Sequence, residues 1–543
     1  MHHTMMDFPL TLPHLLERAR KVFGKVELVS RRPDHSIHRY RYTDFYRRTL
    51  LLAEVLLSLG LKKGERVGTL MWNHHRHLEA YFAIPVAGGV LHTLNLRLHP
   101  LEISYIMDHA EDRFLMVDET LLPLLEKLET NIPPERTIVS RWTDGELPPG
   151  CIDFEELLAS APGCFSYPDI QETDPLGMCY TSGTTGRPKG VVYSHRSQML
   201  HSLGECLPDT LALSHRDTTL AAVPMFHVNA WGLPFSCTMV GCKQVFPGTH
   251  LDPESLLNLF EAEQVTFAAG VPTIWFGILR LLQDHPGRWK LSAGMRTAVG
   301  GSAVPENIIR AFDAQGIRVL QAWGMTEVSP VGTVSFLKSS VESLSEDKQY
   351  EYRARQGVPA PWVEIRADNE EGEVPWDDQT MGELLVRGPW VAASYYGSPE
   401  SEAVWTDDGW FRTGDVVTID EDGYIRIVDR SKDLIKSGGE WISSVDLESA
   451  LMDHPSVSEA AVIAIPDSRW QERPLAVIVP ARGATIDVTQ LKVHLAGRFS
   501  SWQLPDHFQI VEEIPRTSTG KFKKTVLRER FAGKPWETLR PET

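Results

Sequence analysis

A chain of 543 residues is too long for one ordinary core, so at least two domains are expected, and its 42% hydrophobic and 23% charged residues are a normal globular mix. A net charge of −18 repels nucleic acid and anionic lipid, so nucleic-acid binding would need a local basic patch, and membrane contact is expected to be transient at most. Six cysteines without a CxxC pair exclude a disulfide scaffold and fit a reduced, cytoplasmic protein.

Residues 1–10 lack a basic stretch followed by an apolar one, so no signal peptide is expected. Residues 42–59 have helical apolar spacing that stops at Gly60. Residues 66–71 read as a strand, and Asn73 is placed as the cap of a helix running toward Ala87. The longest apolar run, 80–91, contains Pro85 and two glycines and falls short of the roughly 20 residues that span a bilayer. A β-like run at 113–117 precedes a Leu-rich helix at 119–128, and 176–180 is a further strand. Such β–α order predicts mostly parallel sheets covered by helices.

From 382 to 428 the pattern changes. GELLVRG, DGWFRTGDVVTID and GYIRIVD alternate like the strands of a small antiparallel sheet or barrel. After Asp429 a compact α+β pattern begins, with helices at 444–452 and 488–498 and strands at 460–465 and 475–479. The expected division is a large α/β N-terminal domain, 1–430, and a small C-terminal domain, 431–543, joined near Lys432.

The strongest chemical signal is TSGTTGRPKG at 181–190, directly after a strand. Glycines let backbone N–H groups approach an anion, and hydroxyls add donors, so Thr181, Ser182, Gly183, Thr184 and Thr185 form a candidate phosphate cradle. It is not a Walker A loop, because Pro188 stands where the second glycine should be. NHHRH at 73–77 sets His74 and His77 three apart, but with no third ligand near it reads as a polar helix start. DNEEGE at 368–373 lacks EF-hand spacing and reads as a hairpin turn. GxSxG and HExxH are both absent, which disfavours hydrolase chemistry.

At the cradle string the chain resembles the adenylate-forming superfamily of acyl-CoA synthetases, luciferases and peptide-synthetase adenylation domains. The likeness recurs, in the family's order, as far as residue 524. QAWGMTE at 321–327 matches the family's aromatic-Gly-x-Thr-Glu string. The resemblance implies nucleotide contacts at Gln321, Ala322, Trp323, Gly324 and Thr326, with Trp323 stacking on adenine. It gives Glu327, with Thr181, to Mg²⁺. Gly300, Gly301 and Ser302 match a turn lining the nucleotide, Asp415 a carboxylate gripping the ribose hydroxyls, and Arg430 a second ribose contact. PRTSTGKFKK at 515–524 matches the segment with the family's adenylation lysine, here Lys521. That reassigns the one small basic patch, Lys521, Lys523, Lys524, Arg528 and Arg530, away from nucleic acid.

Two strings narrow the subfamily. In PMFHVNAW, at 224–231, the resemblance places His227 beside the acyl group and adenylate, Val228 in the acyl pocket, and Trp231 as a gate to an acyl tunnel. In KSGGEW, at 436–441, it implies a loop, with Gly438 and Gly439, that moves in for the CoA step after rotation about Lys432. Lys432, Lys436 and Trp441 are further expected nucleotide contacts. The whole resembles medium- and long-chain fatty acyl-CoA synthetases, using ATP, Mg²⁺ and coenzyme A, and a homodimer is expected. Similar enzymes act on short or thioether acids, so chain length stays open. A stand-alone adenylation protein loading a carrier, a catalytically dead binding protein and a generic ATPase are the rivals. Against the carrier-loading rival, no carrier domain is expected after Thr543.

Overall fold

The computed structural model describes residues 4–181, 187–398, 404–437, 440–516 and 521–532. Four sheets organise them. A seven-stranded sheet runs in the order Ile152–Asp153, Thr137–Ser140, Asp112–Asp118, Arg66–Leu70, Val90–Thr93, Pro175–Tyr180 and Gly190–Ser194. All its pairs are parallel except the last. A nine-stranded sheet has a parallel centre that includes Thr218–Ala221, Phe267–Gly270, Met295–Val299 and Ile317–Gly324. Antiparallel strands close it at both ends. Parallel strands need crossovers, and the helices that supply them bury the sheets. Val90–Thr93 and Phe267–Gly270 accordingly have no exposed residue.

The antiparallel region expected at 382–428 is present and starts earlier. Its order is Gly372–Glu373, Glu364–Asn369, Gly382–Arg387, Phe411–Ile419 and Ile425–Arg430. That order is linear, so in place of a closed barrel the ladder gives a sheet, with bulges at Glu383/Leu385 and Val416/Val417 to bend it. DNEEGE is the hairpin between its first two strands.

A separate C-terminal α+β domain follows. Its strands Val457–Asp467 and Gln471–Pro480 are longer than expected, because they pair along their whole length. Alternate side chains serve two cores. Ala460 and Val462 pack with Leu447, Leu451, Leu491 and Leu495. Ala461 and Ile463 pack with Leu527 and Phe531.

Two local expectations fail for tertiary reasons. The helix at 119–128 is only a 3-10 turn, Glu119–Leu121, and one α-turn, Leu122–Leu125. Glu119 is drawn away to accept from the backbone of Trp142 and Thr143. Asn73 is not the cap of His75–Val86; the cap is His74, which accepts from the His77 N–H. Asn73 instead joins the two large sheets. Its amide donates to the carbonyls of Ala221 and Val223 (3.0 and 2.9 Å), and its oxygen accepts from the Met225 N–H (2.7 Å). His74 and His77 are likewise spent on the fold, His74 against Asp118 and His77 between Trp72 and Thr69. No helix among the described residues is long and apolar enough to cross a membrane.

The loops that carry the chemical strings leave the C-terminal ends of parallel strands. Residue 181 follows Pro175–Tyr180, 300–302 follow Met295–Val299, and 227–231 lie beyond Thr218–Ala221. In open α/β sheets this edge is where ligands bind.

Asn73→Ala orphans two buried carbonyls and one buried N–H. Chemical denaturation is expected to show a loss of roughly 2–3 kcal/mol. A loss within 0.5 kcal/mol, the usual scale for surface changes, would count against the bridge.

Candidate active site

Two carboxylates, Asp415 and Glu327, and two cations, Arg430 and Lys521, define the site. Asp415 and Arg430 sit opposite each other on paired strands. The Arg430 Nε donates to Asp415 Oδ1 at 2.5 Å, and the Trp323 indole N–H donates to Asp415 Oδ2 at 2.8 Å. Trp323 is itself buried, with its ring edge against Gly332. The structure thus gives Trp323 a task the sequence did not suggest: it holds a carboxylate oxygen in place.

Glu327 lies in the short turn Thr326–Val328 and is buried. The Tyr395 hydroxyl donates to its Oε1 at 2.6 Å, and the Ala392 N–H donates to its backbone carbonyl at 2.7 Å. Burial raises the Glu327 pKa, against the hydrogen bond from Tyr395 and the charges of Arg430 and Lys521. The Lys189 ammonium rests 4.7 Å from the centre of the Tyr395 ring, which ties the end of the cradle string to this carboxylate. Tyr395 was invisible to sequence reasoning, because no motif links it to a glutamate 68 positions earlier.

Thr181 closes its strand by donating to Lys189 O at 2.9 Å, and its hydroxyl accepts from the Lys189 N–H at 3.4 Å. Ser182, Gly183, Thr184 and Thr185 lie outside the described residues, as do Gly438 and Gly439.

Lys521 comes from the C-terminal domain and reaches the same place. Its Cε lies 3.6 Å from the point a Cβ on Gly301 would occupy. Burial, with help from Arg430, pulls its pKa down to about 8, against the opposing pull of Asp415 and Glu327. Lys432 acts on Lys521 in the same direction as Arg430. His227 also faces Lys521; burial first, then Lys521 and Arg97, lower its pKa to about 3, so the imidazole is neutral at pH 7. With Thr93, Asn95, Tyr180 and Phe226 it lines a cavity of about 10 Å³, room for one water.

The remaining positions shape the walls. Gly301 has φ +94°, a left-handed conformation that a side chain strains. A Cβ on Gly324 would fall 1.7 Å from Pro330 O, so only glycine fits there. Gln321 accepts from the Val304 N–H and donates to Ala354 and Arg355 carbonyls, so its amide anchors the 300–304 turn. The Ala322 carbonyl abuts Gly300, and the Thr326 carbonyl accepts from the Tyr193 hydroxyl. Lys436 and Trp441 contact each other on the hairpin of Ile435–Ser437 and Glu440–Ile442, and Trp441 is exposed. Their contact is with one another and not with the Asp415–Glu327 pair.

Val228, Asn229, Ala230 and Trp231 all have positive φ, from 45° to 57°. With ψ near 40° at Asn229 and Ala230, this is a left-handed turn that costs roughly 1–2 kcal/mol per residue. Pro234 sits in the first turn of the next helix and blocks its extension backward over these residues. Trp231 is buried, and its ring edge lies 3.3 Å from where a Gly300 Cβ would be. The indole thus closes against the turn expected to line the nucleotide.

The fold and these charges are those of an AMP-binding enzyme with a separate C-terminal domain. The chain belongs to the AMP-binding enzyme family, whose model matches residues 15–396, with the AMP-binding enzyme C-terminal domain at 446–521. It is 51% identical to a long-chain-fatty-acid–CoA ligase of Thermus thermophilus, over 97% of each chain. It is 42% identical to a medium-chain-fatty-acid–CoA ligase of Ectopseudomonas oleovorans, again over 97% of each. The crystal structure of the anthranilate CoA ligase AuaEII with anthranoyl-AMP superposes with a TM-score of 0.85 at 26% identity, covering 96% of this chain and 98% of that one.

A lowered lysine pKa has a definite sign. Lys521 is charged below about pH 8 and loses its proton above it. Adenylation that needs the cation is therefore expected to fall as pH rises through about 8, read as kcat/KM for ATP, which reports the free enzyme. Lys521→Arg keeps its charge at all such pH values, and the alkaline limb is expected to vanish. An unchanged limb in that variant assigns the titration elsewhere.

Proposed function

We propose that the chain is an ATP-dependent fatty acid–CoA ligase for medium- to long-chain acids. In the first half-reaction the acid's carboxylate oxygen attacks the α-phosphorus of ATP. The bond to the β-phosphate oxygen breaks, and acyl-AMP and pyrophosphate form. In the second, the CoA sulfur attacks the acyl carbon, AMP leaves, and the thiol proton passes to solvent.

The observation that carries the reading is Lys521 seated against Gly301 among Asp415, Glu327 and Arg430. Two anions must meet in step one. A desolvated ammonium offsets the charge that builds there far better than one in water. His227, neutral through burial, can donate one hydrogen bond to the carboxylate without adding charge. Asp415, with one oxygen held by Trp323 and the other by Arg430, is pre-set to accept from ribose hydroxyls. Glu327 and Thr181 offer only oxygen, the donor set Mg²⁺ prefers, and the metal when bound would neutralise phosphate charge.

A mobile C-terminal domain, pivoting near Lys432, fits the second step. Lys432 is exposed, and the residues around it are tied to the C-terminal domain through Arg528, which bonds Asp433 and the Lys432 carbonyl. Rotation there withdraws Lys521 and makes room for the Gly438–Gly439 loop and Trp441. Six free cysteines agree with a reducing, cytoplasmic setting.

Lys521→Ala is expected to slow acyl-adenylate formation by roughly 10² or more. Thioester formation from synthetic acyl-AMP is expected to survive far better. Equal damage to both half-reactions contradicts a lysine that serves only the first.

The acyl path is read as passing Trp231, where each buried CH₂ adds about 0.8 kcal/mol. Catalytic efficiency is expected to rise with acid length and then level off. Trp231→Ala is expected to keep adenylation while weakening the dependence of acid binding on ATP. Efficiency falling steadily from acetate upward leaves a short- or thioether-acid ligase, and AMP formation without a CoA thioester leaves a carrier-loading protein.

A further inference from the structure

The helix His195–Glu205 is buried along most of its length, and its second half carries polar groups that no step above uses. His201 and Glu205 are each 1% exposed. The Val331 N–H donates to His201 Nε2 at 3.2 Å, which leaves the neutral ring's proton on Nδ1. That Nδ1 is 3.9 Å from Glu205 Oε2, too far for a hydrogen bond. Neither Nδ1 nor either Glu205 oxygen meets a hydrogen-bond partner at good geometry among the described residues, although the Ser236 side chain lies close enough to favour the charged form of Glu205. Burial outweighs that and pushes the Glu205 pKa well up, and it holds His201 neutral, with a pKa of about 3. Three convergent, buried and unmet polar atoms are unusual in a folded protein and ask for a ligand or a function.

Their neighbour is the backbone of the gate. A Cβ on Gly232 would lie 2.7 Å from His201 Cε1, 2.8 Å from Nδ1 and 3.0 Å from Glu205 Oε2. Gly232 directly follows Trp231 and has φ +82°. The closed left-handed turn therefore rests on the pair and covers it. A backbone movement of this turn that lifts Trp231 off Gly300 carries Gly232 with it, since one peptide bond joins them.

We propose that His201 and Glu205 form a polar subsite of the acyl channel, uncovered when the Trp231 turn opens, that takes a hydroxyl group carried along the chain of the acid. The His201 Nδ1–H donates to the hydroxyl oxygen, and the hydroxyl donates to a Glu205 carboxyl oxygen. A second charged carboxylate is disfavoured by burial beside Glu205. The substrate class is thus hydroxy fatty acids as well as plain ones. This rests on the reading that the acyl chain passes Trp231.

The test uses the full-length enzyme with matched pairs of plain and hydroxylated acids of equal length, the hydroxyl being stepped along the chain. The readout is the ratio of kcat/KM, hydroxy over plain. In the native enzyme the ratio is expected to peak at one hydroxyl position. Glu205→Leu is expected to lower that peak by roughly tenfold, the value of a hydrogen bond to a neutral group, while plain acids are turned over as before or better. Glu205→Gln keeps a donor and an acceptor in the same space and is expected to retain most of the peak. A ratio that is flat at every position in the native enzyme overturns the subsite, whether or not the leucine variant folds. A peak that Glu205→Leu leaves untouched overturns it too. Plain acids whose efficiency does not depend on length at all overturn the channel reading on which the subsite rests, a separate failure.

Discussion

A lysine ammonium taken out of water, in a place where two anions have to meet, is the constraint on which the site depends. Lys521 is held where burial and Arg430 both oppose its charge, while Asp415 and Glu327 favour it. A cation in that position is costly when nothing negative is bound and strongly attracted when a polyphosphate arrives. The nearby cations have other contacts: Arg430 pairs through its Nε with Asp415, and the Lys189 ammonium lies over the Tyr395 ring. The cation comes from a separate domain, which is the physical condition for removing it once its step is done.

Each carboxylate is fixed in part by a group with no charge of its own. Trp323 holds one oxygen of Asp415, and Tyr395 holds one oxygen of Glu327. An uncharged donor orients a carboxylate without cancelling its charge; Asp415 is paired as well, through its other oxygen, with Arg430. Glycine supplies the rest of the precision. At Gly324 the neighbouring carbonyl leaves no space for a Cβ, and at Gly301 the left-handed φ combines with the approach of Lys521. A change at either position acts by moving backbone, which is why both belong to the chemistry although neither carries a reacting atom.

Much of this was legible from the residues. The strand-to-loop strings, the order of parallel and antiparallel regions and the α+β end all depend on local patterns, and they reappear with small shifts of boundary. The helix Ser444–Met452 appears at the residues its spacing predicts. What failed depends on partners far away in the chain. Asn73 has the chemistry of a cap, but its three buried bonds go to residues about 150 positions later, and the cap passes to His74. Glu119 starts a helix by propensity and gives it up to the backbone of Trp142 and Thr143. An alternating pattern cannot distinguish a closed barrel from an open bent sheet, since both show one face inward. Tyr395 and the pair of His201 and Glu205 left no trace in spacing, because their meaning lies in what the fold brings against them.

Trp231 and Lys521 meet at one dipeptide. Gly300 receives the ring of Trp231 from one side, and Gly301 receives the Lys521 side chain from the other. A side chain at Gly300 would press on Trp231 and the Ala322 carbonyl, whereas Gly301 is fixed as glycine by its φ of +94°, and both contacts face the turn that Gln321 anchors at Val304. A nucleotide lying on this turn therefore touches the surface on which the indole closes and the surface on which the lysine rests. The left-handed turn at 228–231 makes the first of these sensitive: it is held against roughly 1–2 kcal/mol of strain per residue by packing, so a modest loss of contact at Gly300 is enough to weigh against the closed form. A rigid, right-handed helix at the same place would lack that balance, and Pro234 ensures that such a helix cannot form by simple extension of the one that follows.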